Sequence, residues 1–196
     1  KRTTAQGCTI ERGWIVFHNN GRATRIIPMK DVSLPGSHNL TNVLLATTAA
    51  LAYGVSPLTV RTAVKKFRGV PHRLEFVREA RGVRFINDSA ATMPDATVAA
   101  IKSFDRPIVL ICGGKDKQLD FTPLIRALRG SHVRRVILLE HPAYTASTAI
   151  RSLAERAHIG RKIIPAKNMK EAVALATQSV KRGDIVLLSP AAASFG

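Results

Sequence analysis

A regular alternation of short apolar runs with amphipathic segments, from about residue 74 to residue 188, constrains the fold more than any other feature of this sequence. The apolar runs are rich in Val, Ile and Leu, as buried strands are, and the segments between them have the spacing of amphipathic helices. Strands that alternate with helices form a mainly parallel sheet. The sequence therefore predicts an α/β fold with a Rossmann-like, mainly parallel sheet and helices on both of its faces.

The individual elements of this region follow from the same pattern. Strands are predicted at residues 74–80, 83–87, 107–112, 133–139, 162–165 and 184–188. Helices are predicted at residues 94–103, 121–128, 143–157 and 169–181. Pro94 suits the first turn of the first of these helices, because its missing N–H has no partner there in any helix.

The part of the chain before about residue 72 is organised differently. Residues 13–18 and 23–28 predict two strands, joined by an Asn-Asn-Gly turn in which Asn and Gly accept positive φ. Residues 38–53 and 57–66 predict two helices, the second capped by Ser56.

A domain boundary is therefore expected near residue 72. Residues 72–196 are predicted to form the Rossmann-like domain, and residues 1–71 the closing portion of another domain. No apolar run approaches the roughly 20 residues of a membrane span. We expect a cytoplasmic protein whose two cysteines, Cys8 and Cys112, are reduced thiols without paired metal-ligand spacing.

The charge of the chain is strongly positive, at +17, with 30 Lys and Arg residues against 13 acidic ones. Such a balance is typical of proteins that bind polyanions. The basic residues are spread over most of the chain, however, and the few aromatic residues form no platform for bases. A generally basic surface with anionic small-molecule substrates is favoured over a specific nucleic-acid site.

Residues 85–96, Phe-Ile-Asn-Asp-Ser-Ala-Ala-Thr-Met-Pro-Asp-Ala, place polar side chains where a strand becomes a helix. Such junctions are where α/β proteins bind ligands. Taken alone, this segment is better explained by Asp88 and Ser89 as turn residues and Thr92 as a helix cap.

Two later segments place further polar groups at strand ends. In residues 108–117, a buried strand is followed by two glycines and then by two lysines, the second of which is Lys117. Glycines let backbone N–H groups approach an anion, and lysines supply the countercharge. Residues 188–195 end the last strand with Ser-Pro-Ala-Ala-Ala-Ser-Phe. A turn with solvated lysines and a tight connection are the alternative interpretations.

These segments belong to a set of five blocks that occur in one order. The blocks are residues 36–42 (GSHNLTN), 69–75 (GVPHRLE), 85–96, 113–117 (GGKDK) and 188–195 (LSPAAASF). In this order and at these separations they resemble the C-terminal half of a Mur ligase, from about residue 32 to the end of the chain. The branch of the family that they resemble adds D-glutamate to UDP-N-acetylmuramoyl-L-alanine in peptidoglycan synthesis, through an acyl phosphate made from ATP.

The resemblance implies roles for eight residues. The residues implied for D-glutamate are Lys117, Thr92, Ser194 and Phe195. The residues implied for the nucleotide are Asn39 and Asn42 beside adenine, Arg73 at the phosphates and Asp88 at the ribose. Helix capping alone also explains one of the two asparagines.

The chain also departs from the family pattern. Ala90 stands where many members have lysine after Asn-Asp-Ser. The phosphate-binding Gly-x-Gly-Lys-[Ser/Thr] loop and the metal-binding acid of the family's central domain have no match here, so ATP and Mg²⁺ would be bound mainly by a part that the chain lacks. The chain also lacks an initiator Met, and we expect it to be part of a longer protein and inactive alone.

Two alternatives remain open. One is another amide-forming ligase of the superfamily, such as a folylpolyglutamate synthase-type or diaminopimelate-adding enzyme, although the Asp-Asn-Pro-Arg block of the latter is absent. The other is a non-catalytic basic module that binds nucleotide or nucleic acid. A P-loop upstream of Lys1 would favour the ligase. The sequence indicates no oligomeric state.

Overall fold

The computed structural model describes residues 6–130, 132–140 and 145–193. The chain divides into two compact units, Lys1–Gly69 and Val70–Gly196, close to the boundary predicted near residue 72. Each unit has its own hydrophobic core. Within the described residues, no helix combines the length and the apolar character that a membrane span requires.

In the first unit, two helices pack on a three-stranded antiparallel sheet of order β1-β2-β3. The strands are β1 (Gly7–Glu11), β2 (Trp14–Asn19) and β3 (Arg22–Pro28), and the helices are α1 (Ser37–Ala52) and α2 (Pro57–Lys66). The core of this unit includes Ile15, Phe17, Ile26, Val43 and Val60.

Local sequence explains the hairpin turn and the helix cap that the sequence predicts in this unit. Asn20 and Gly21 both have positive φ, 47° and 78°, as a two-residue hairpin between β2 and β3 requires. Ser56 Oγ accepts a hydrogen bond of 3.1 Å from the Thr59 N–H and so caps α2. The hairpin and the cap are both confirmed.

The sequence pattern missed β1. Residues 7–11, Gly-Cys-Thr-Ile-Glu, contain one large apolar side chain, and that residue, Ile10, is 45 % exposed even in the folded sheet. An edge strand of this kind gains its order from backbone pairing with β2 rather than from burial of its own side chains. Composition therefore gives little sign of it.

The second unit contains the predicted α/β domain. Its strands are β4 (Glu75–Ala80), β5 (Val83–Asn87), β6 (Ile108–Cys112), β7 (Val133–Leu139), β8 (Ile163–Ala166) and β9 (Ile185–Leu188). Its helices are α3 (Pro94–Lys102), α4 (Thr122–Gly130), α5 (Thr145–Arg156) and α6 (Met169–Ser179). The sheet order is β4-β5-β9-β6-β7-β8, with β4 antiparallel and the other strands parallel, so the prediction of a mainly parallel sheet is confirmed.

Helices cover both faces of this sheet because alternate residues of each central strand point to opposite sides. On one face, residues such as Leu110 and Cys112 of β6 join α3, α4 and α5 in a single core cluster. On the other face, Val109 and Ile111 pack with α6. The near-continuous apolar sequence of β6 is thus explained by burial on both faces.

The position of β9 decides where a ligand-binding edge can form. This last strand is inserted between β5 and β6 and pairs in parallel with both. The segments that follow β5, β6 and β9 therefore leave the same edge of the sheet side by side. Edges of this kind, at the carboxyl ends of parallel strands, are the usual ligand-binding positions of α/β proteins.

Candidate functional site

Backbone hydrogen bonds join the three segments that follow β5, β9 and β6 at the carboxyl edge of the second unit. The Ala191 N–H donates to the Ala91 carbonyl oxygen at 3.0 Å, on the β5 side. On the β6 side, the Gly113 N–H donates to the Pro190 carbonyl oxygen at 2.9 Å, and Lys115 forms a two-hydrogen-bond bridge with Ala193. The β9 segment thus lies between the other two and fixes their spacing.

Asp88 lies at the centre of this edge and is buried, with only 6 % of its surface exposed. Its Oδ1 accepts a hydrogen bond of 3.1 Å from the Leu74 N–H, and its Oδ2 accepts one of 2.8 Å from the Ser189 hydroxyl. Its own backbone N–H donates to the Leu188 carbonyl oxygen at 2.7 Å. One carboxylate therefore connects the start of β4, the end of β5 and the end of β9.

Asp88 is a turn residue, since the Ala91 N–H donates to its carbonyl oxygen at 2.9 Å, but its side chain is buried. A buried carboxylate needs hydrogen bonds to offset its loss of hydration, and Asp88 obtains them from within the unit. Each carboxylate oxygen can accept more than one hydrogen bond, so these contacts are compatible with a contact to ribose. That contact stays a prediction.

Ser189 and Thr97 extend the buried network, and sequence analysis assigned neither of them a role. Both side chains are fully buried, and Ser189 Oγ lies 2.9 Å from Thr97 Oγ1. The single hydroxyl hydrogen of Ser189 is best used by the charged acceptor Asp88. The Thr97 hydroxyl lies within hydrogen-bond distance of both Ser189 Oγ and the Ser189 carbonyl oxygen, the latter at 3.3 Å, and its single hydrogen serves these two acceptors. The sequence signal for Ser189 was its position directly after an apolar strand and before a proline.

Arg73 belongs to a short segment that is held against the same network. Its neighbour Leu74 donates to Asp88, and the Ala90 N–H donates to the His72 carbonyl oxygen at 3.0 Å. The Arg73 side chain itself is exposed. The structure thus places Arg73 and Asp88 in adjacent, hydrogen-bonded segments of the second unit.

Two of the residues implied for D-glutamate also lie on the segments of this edge. Thr92 follows Ala91, which is bonded to the β9 segment, and Lys117 lies two residues after Lys115, which is bonded to Ala193. Both side chains are exposed, and no carboxylate within the described ranges forms an ion pair with Lys117. Ser194 and Phe195 lie outside the described residues.

The alternative role of Thr92 as a helix cap is not supported. The residue that precedes α3 is Met93, and no side chain accepts a capping hydrogen bond there. Pro94 occupies the first turn of the helix, as predicted. Helix capping therefore does not explain why a threonine stands at position 92.

The glycines after β6 are required by close packing of backbone. Gly114 has φ of 156°, and a Cβ built on it would lie 2.6 Å from the Ala193 carbonyl oxygen. Gly113 has φ of 118°, and its Cβ would lie 2.8 Å from the Leu139 carbonyl oxygen. Only residues without a side chain allow the end of β7 to approach Gly113, and the β9 segment to approach Gly114, this closely.

Cys112, the last residue of β6, lies directly before these glycines but is not available for chemistry. Its side chain is completely buried, and burial raises the pKa of the thiol to about 12. A neutral, inaccessible thiol is a poor nucleophile and a poor metal ligand. Cys112 is therefore a core residue, and Cys8 is also a free thiol.

Asn39 and Asn42 lie in the first turns of α1, in the first unit. Asn39 is half-buried and its side-chain amide donates to the Pro35 carbonyl oxygen at 2.7 Å, whereas Asn42 is exposed. The residue at the N-cap position is Gly36, without a side-chain cap. Neither asparagine therefore caps the helix, and their contact with adenine stays a prediction.

A magnesium site was expected to lie mainly outside this chain. Across residues 6–130, 132–140 and 145–193, no group of three or more His, Cys, Asp or Glu side chains is placed to hold a metal ion.

Sequence comparison finds close relatives along the whole chain. The chain is 46 % identical over 180 residues to the UDP-N-acetylmuramoylalanine--D-glutamate ligase of Roseiflexus sp. (strain RS-1), a match that covers 91 % of this chain and 38 % of the relative. It is 41 % identical over 196 residues to the ligase of the same name from Thermoanaerobacter sp. (strain X514), covering 100 % of this chain and 42 % of the relative. The chain thus spans about two fifths of the length of these relatives.

Structural comparison agrees on the fold. The Mycobacterium tuberculosis folylpolyglutamate synthase complexed with ADP superimposes with a TM-score of 0.72 at 21 % identity, over 94 % of this chain and 44 % of that one. The UDP-N-acetylmuramate-alanine ligase from Thermotoga maritima gives a TM-score of 0.62 at 20 % identity, over 92 % of this chain and 40 % of that one. The family model described as "Mur ligase, glutamate ligase domain" matches residues 72–192. By this match and by the identity with its relatives, the chain belongs to the Mur ligase family.

Proposed function

We propose that this chain supplies the amino-acid-binding part of an ATP-dependent ligase that joins D-glutamate to UDP-N-acetylmuramoyl-L-alanine in the cytoplasmic stage of peptidoglycan synthesis. The observation that carries the proposal is the hydrogen-bonded convergence of the segments after β5, β9 and β6. The names of the relatives at 41–46 % identity support the choice of D-glutamate. The likeness to solved structures supports the fold alone.

The proposed amino-acid site uses the exposed groups of this edge. Lys117 provides an ammonium group for a carboxylate of D-glutamate, and Thr92 provides a hydroxyl from the neighbouring segment. Ser194 and the backbone of Phe195 follow directly after Ala193, whose own position is fixed by the bridge to Lys115. A few polar groups at a strand edge are enough to orient a small dicarboxylic amino acid.

Nucleotide contacts are proposed for four residues. In the first unit, Asn39 and Asn42 approach adenine. In the second unit, Arg73 reaches the phosphates and Asp88 the ribose. An arginine suits phosphate because its guanidinium can donate two parallel hydrogen bonds. Support for these roles comes from the family motifs and from the hydrogen bonds that hold Arg73 and Asp88 in adjacent segments.

The reaction that we propose has two steps. A carboxylate oxygen of UDP-N-acetylmuramoyl-L-alanine attacks the γ-phosphorus of ATP, and ADP leaves. The amine of D-glutamate then attacks the carbonyl carbon of the resulting acyl phosphate. Inorganic phosphate leaves and carries away the carboxylate oxygen that attacked phosphorus in the first step, and the nitrogen loses a proton as the amide forms. The described residues contribute by holding the amine in place, an effective-concentration effect worth on the order of 7 to 11 kcal/mol at best.

Phosphate release by the complete protein tests this proposal. The protein encoded by the complete reading frame that contains this chain should release phosphate from ATP only when both UDP-N-acetylmuramoyl-L-alanine and D-glutamate are present. The matched control is the same protein with Lys117→Ala, for which the response to D-glutamate should shift to higher concentration. Phosphate release that does not depend on D-glutamate would refute the proposal. Phosphate release with a folate substrate and L-glutamate would favour a folylpolyglutamate synthase-type enzyme.

A further inference from the structure

The first unit contains an open cleft of about 710 Å³ between the sheet and α2. Its apolar wall is formed by Trp14 of β2 and by Pro28 and Met29 at the end of β3. Its charged wall is formed by three cations, Lys30, Arg61 and Lys65, and one carboxylate, Asp31. The cleft shares none of the residues predicted to contact D-glutamate or the nucleotide.

Two arginines lie against the indole ring of Trp14. The guanidinium carbon of Arg25 is 5.6 Å from the ring centroid, and that of Arg61 is 5.9 Å from it. Guanidinium groups at these distances are attracted to the electron-rich face of the ring, and their N–H groups stay available at the ring edge. Both cations lie beside Trp14, and one of them, Arg61, also lines the cleft.

These cations have little negative charge around them. Residues 6–69 contain eight Lys or Arg residues but only two acidic residues, Glu11 and Asp31. Glu11 accepts hydrogen bonds from Thr9 and His18, and Asp31 lies 3.7 Å from Lys65. Within the described part of the chain, no carboxylate forms an ion pair with Arg25 or Arg61.

The three cations that line the cleft outnumber its one carboxylate, Asp31, and a bound anion would relieve the repulsion that remains among them. The volume lies within the range of roughly 300 to 1,000 Å³ that small-molecule sites occupy. The combination of an apolar wall with arginines and lysines suits a ligand that has a flat ring at one end and phosphate groups at the other.

We propose that this cleft binds a small phosphorylated molecule with an aromatic ring, of the size and charge of a nucleoside diphosphate. The ring packs on Pro28, Met29 and the part of Trp14 that lines the cleft, and the phosphates are bound by Arg61, Lys30 and Lys65, with Arg25 beside Trp14. The proposal is independent of the ligase function, because it uses a different set of residues from those assigned to the reaction.

Fluorescence of Trp14 provides a direct measurement, since it is the only tryptophan in the sequence. The probe is ADP, added to the 196-residue chain, with excitation at the red edge of the indole band where adenine does not absorb. ADP should produce a saturable change with a dissociation constant of about 1 mM or below. Pyrophosphate, which lacks the ring, should bind more weakly, and adenosine, which lacks the charge, should produce no saturable change.

Variants locate the binding. Arg61→Gln should weaken ADP binding by about tenfold or more, because it removes a charged hydrogen-bond donor. The matched control is Arg22→Gln, which removes an exposed arginine of the same unit from outside the cleft. Arg25→Gln repeats the test from β3 in case the change in α2 alters folding, and far-UV circular dichroism reports the fold of each variant.

Three results would overturn the proposal. The first is the absence of any saturable change with ADP. The second is an equal loss of binding in Arg61→Gln and Arg22→Gln, which would indicate general charge attraction only. The third is a signal that survives Arg61→Gln and Arg25→Gln but disappears in Asn42→Ala, which would place the nucleotide at the site proposed for the ligase.

Discussion

Ser189 donates a hydrogen bond of 2.8 Å to Asp88, a residue 101 positions earlier in the chain, and both side chains are buried. Their contact connects the ends of the adjacent strands β5 and β9, from which two of the three segments of the proposed site begin. The geometry of the site therefore depends on a polar contact in the interior of the second unit.

Replacing Ser189 by Ala should destabilise the protein. The change removes a hydrogen bond to a buried carboxylate, which is typically worth about 1.5 to 3 kcal/mol. Urea unfolding followed by far-UV circular dichroism measures the loss. The matched control is Ser152→Ala at an exposed position of α5, which should stay within about 0.5 kcal/mol of the parent. Equal stability of the two variants would contradict the structural role of Ser189.

Asp88→Ala and Arg73→Ala should differ in their effects on stability. The first leaves the Leu74 N–H and the Ser189 hydroxyl without their acceptor in a buried position, at a cost of about 1 to 3 kcal/mol for each unsatisfied group. The second removes an exposed side chain and should change stability by less than about 0.5 kcal/mol. Thermal unfolding of both variants measures the difference. A stable Asp88→Ala protein would show that the carboxylate serves ligand binding alone.

Gly114→Ala should disturb the amino-acid site in the complete protein. Its Cβ would meet the Ala193 carbonyl oxygen at 2.6 Å, so the bridge between Lys115 and Ala193 must open. We expect an increase in the KM for D-glutamate, because the segment that leads to Ser194 is displaced. Gly130→Ala is the control, since nothing lies within 4 Å of its Cβ. An unchanged KM for D-glutamate in Gly114→Ala would separate this bridge from substrate binding.

Lys117→Ala in the complete protein should raise the KM for D-glutamate by about ten- to a hundredfold and leave that for ATP nearly unchanged. An ammonium group that is hydrogen-bonded to a carboxylate is worth about 1.5 to 3 kcal/mol. Steady-state kinetics with each substrate varied in turn measures the two constants. Lys115→Ala serves as the control, because it removes an exposed lysine from the same segment. Equal changes for both substrates would remove Lys117 from the amino-acid site.

The fold of the second unit was largely predictable because its signals are local. The apolar run of β6 and the amphipathic pattern of α4 both depend on neighbours along the chain. The insertion of β9 between β5 and β6 was not predictable in this way, because parallel pairing partners leave no mark in the sequence of either strand.

The candidate site was predictable only in part, for a related reason. Motif order indicated Lys117 and Thr92, and the structure places both on segments of one edge. Burial of Asp88 depends on contacts with Leu74 and Ser189, residues that are distant in sequence, so the pattern could not distinguish a ligand-binding acid from a buried one. The cleft beside Trp14 likewise arises from the packing of α2 on the sheet.

A competition experiment tests the central claim most directly. The complete protein is supplied with ATP, Mg²⁺, UDP-N-acetylmuramoyl-L-alanine and an equimolar mixture of D-glutamate, L-glutamate, L-alanine and meso-diaminopimelate, and the product is identified by mass spectrometry and chiral analysis. We predict that UDP-N-acetylmuramoyl-L-alanyl-D-glutamate is the dominant product. Incorporation of another amino acid, or no amide product under conditions in which the protein is folded, would contradict the account.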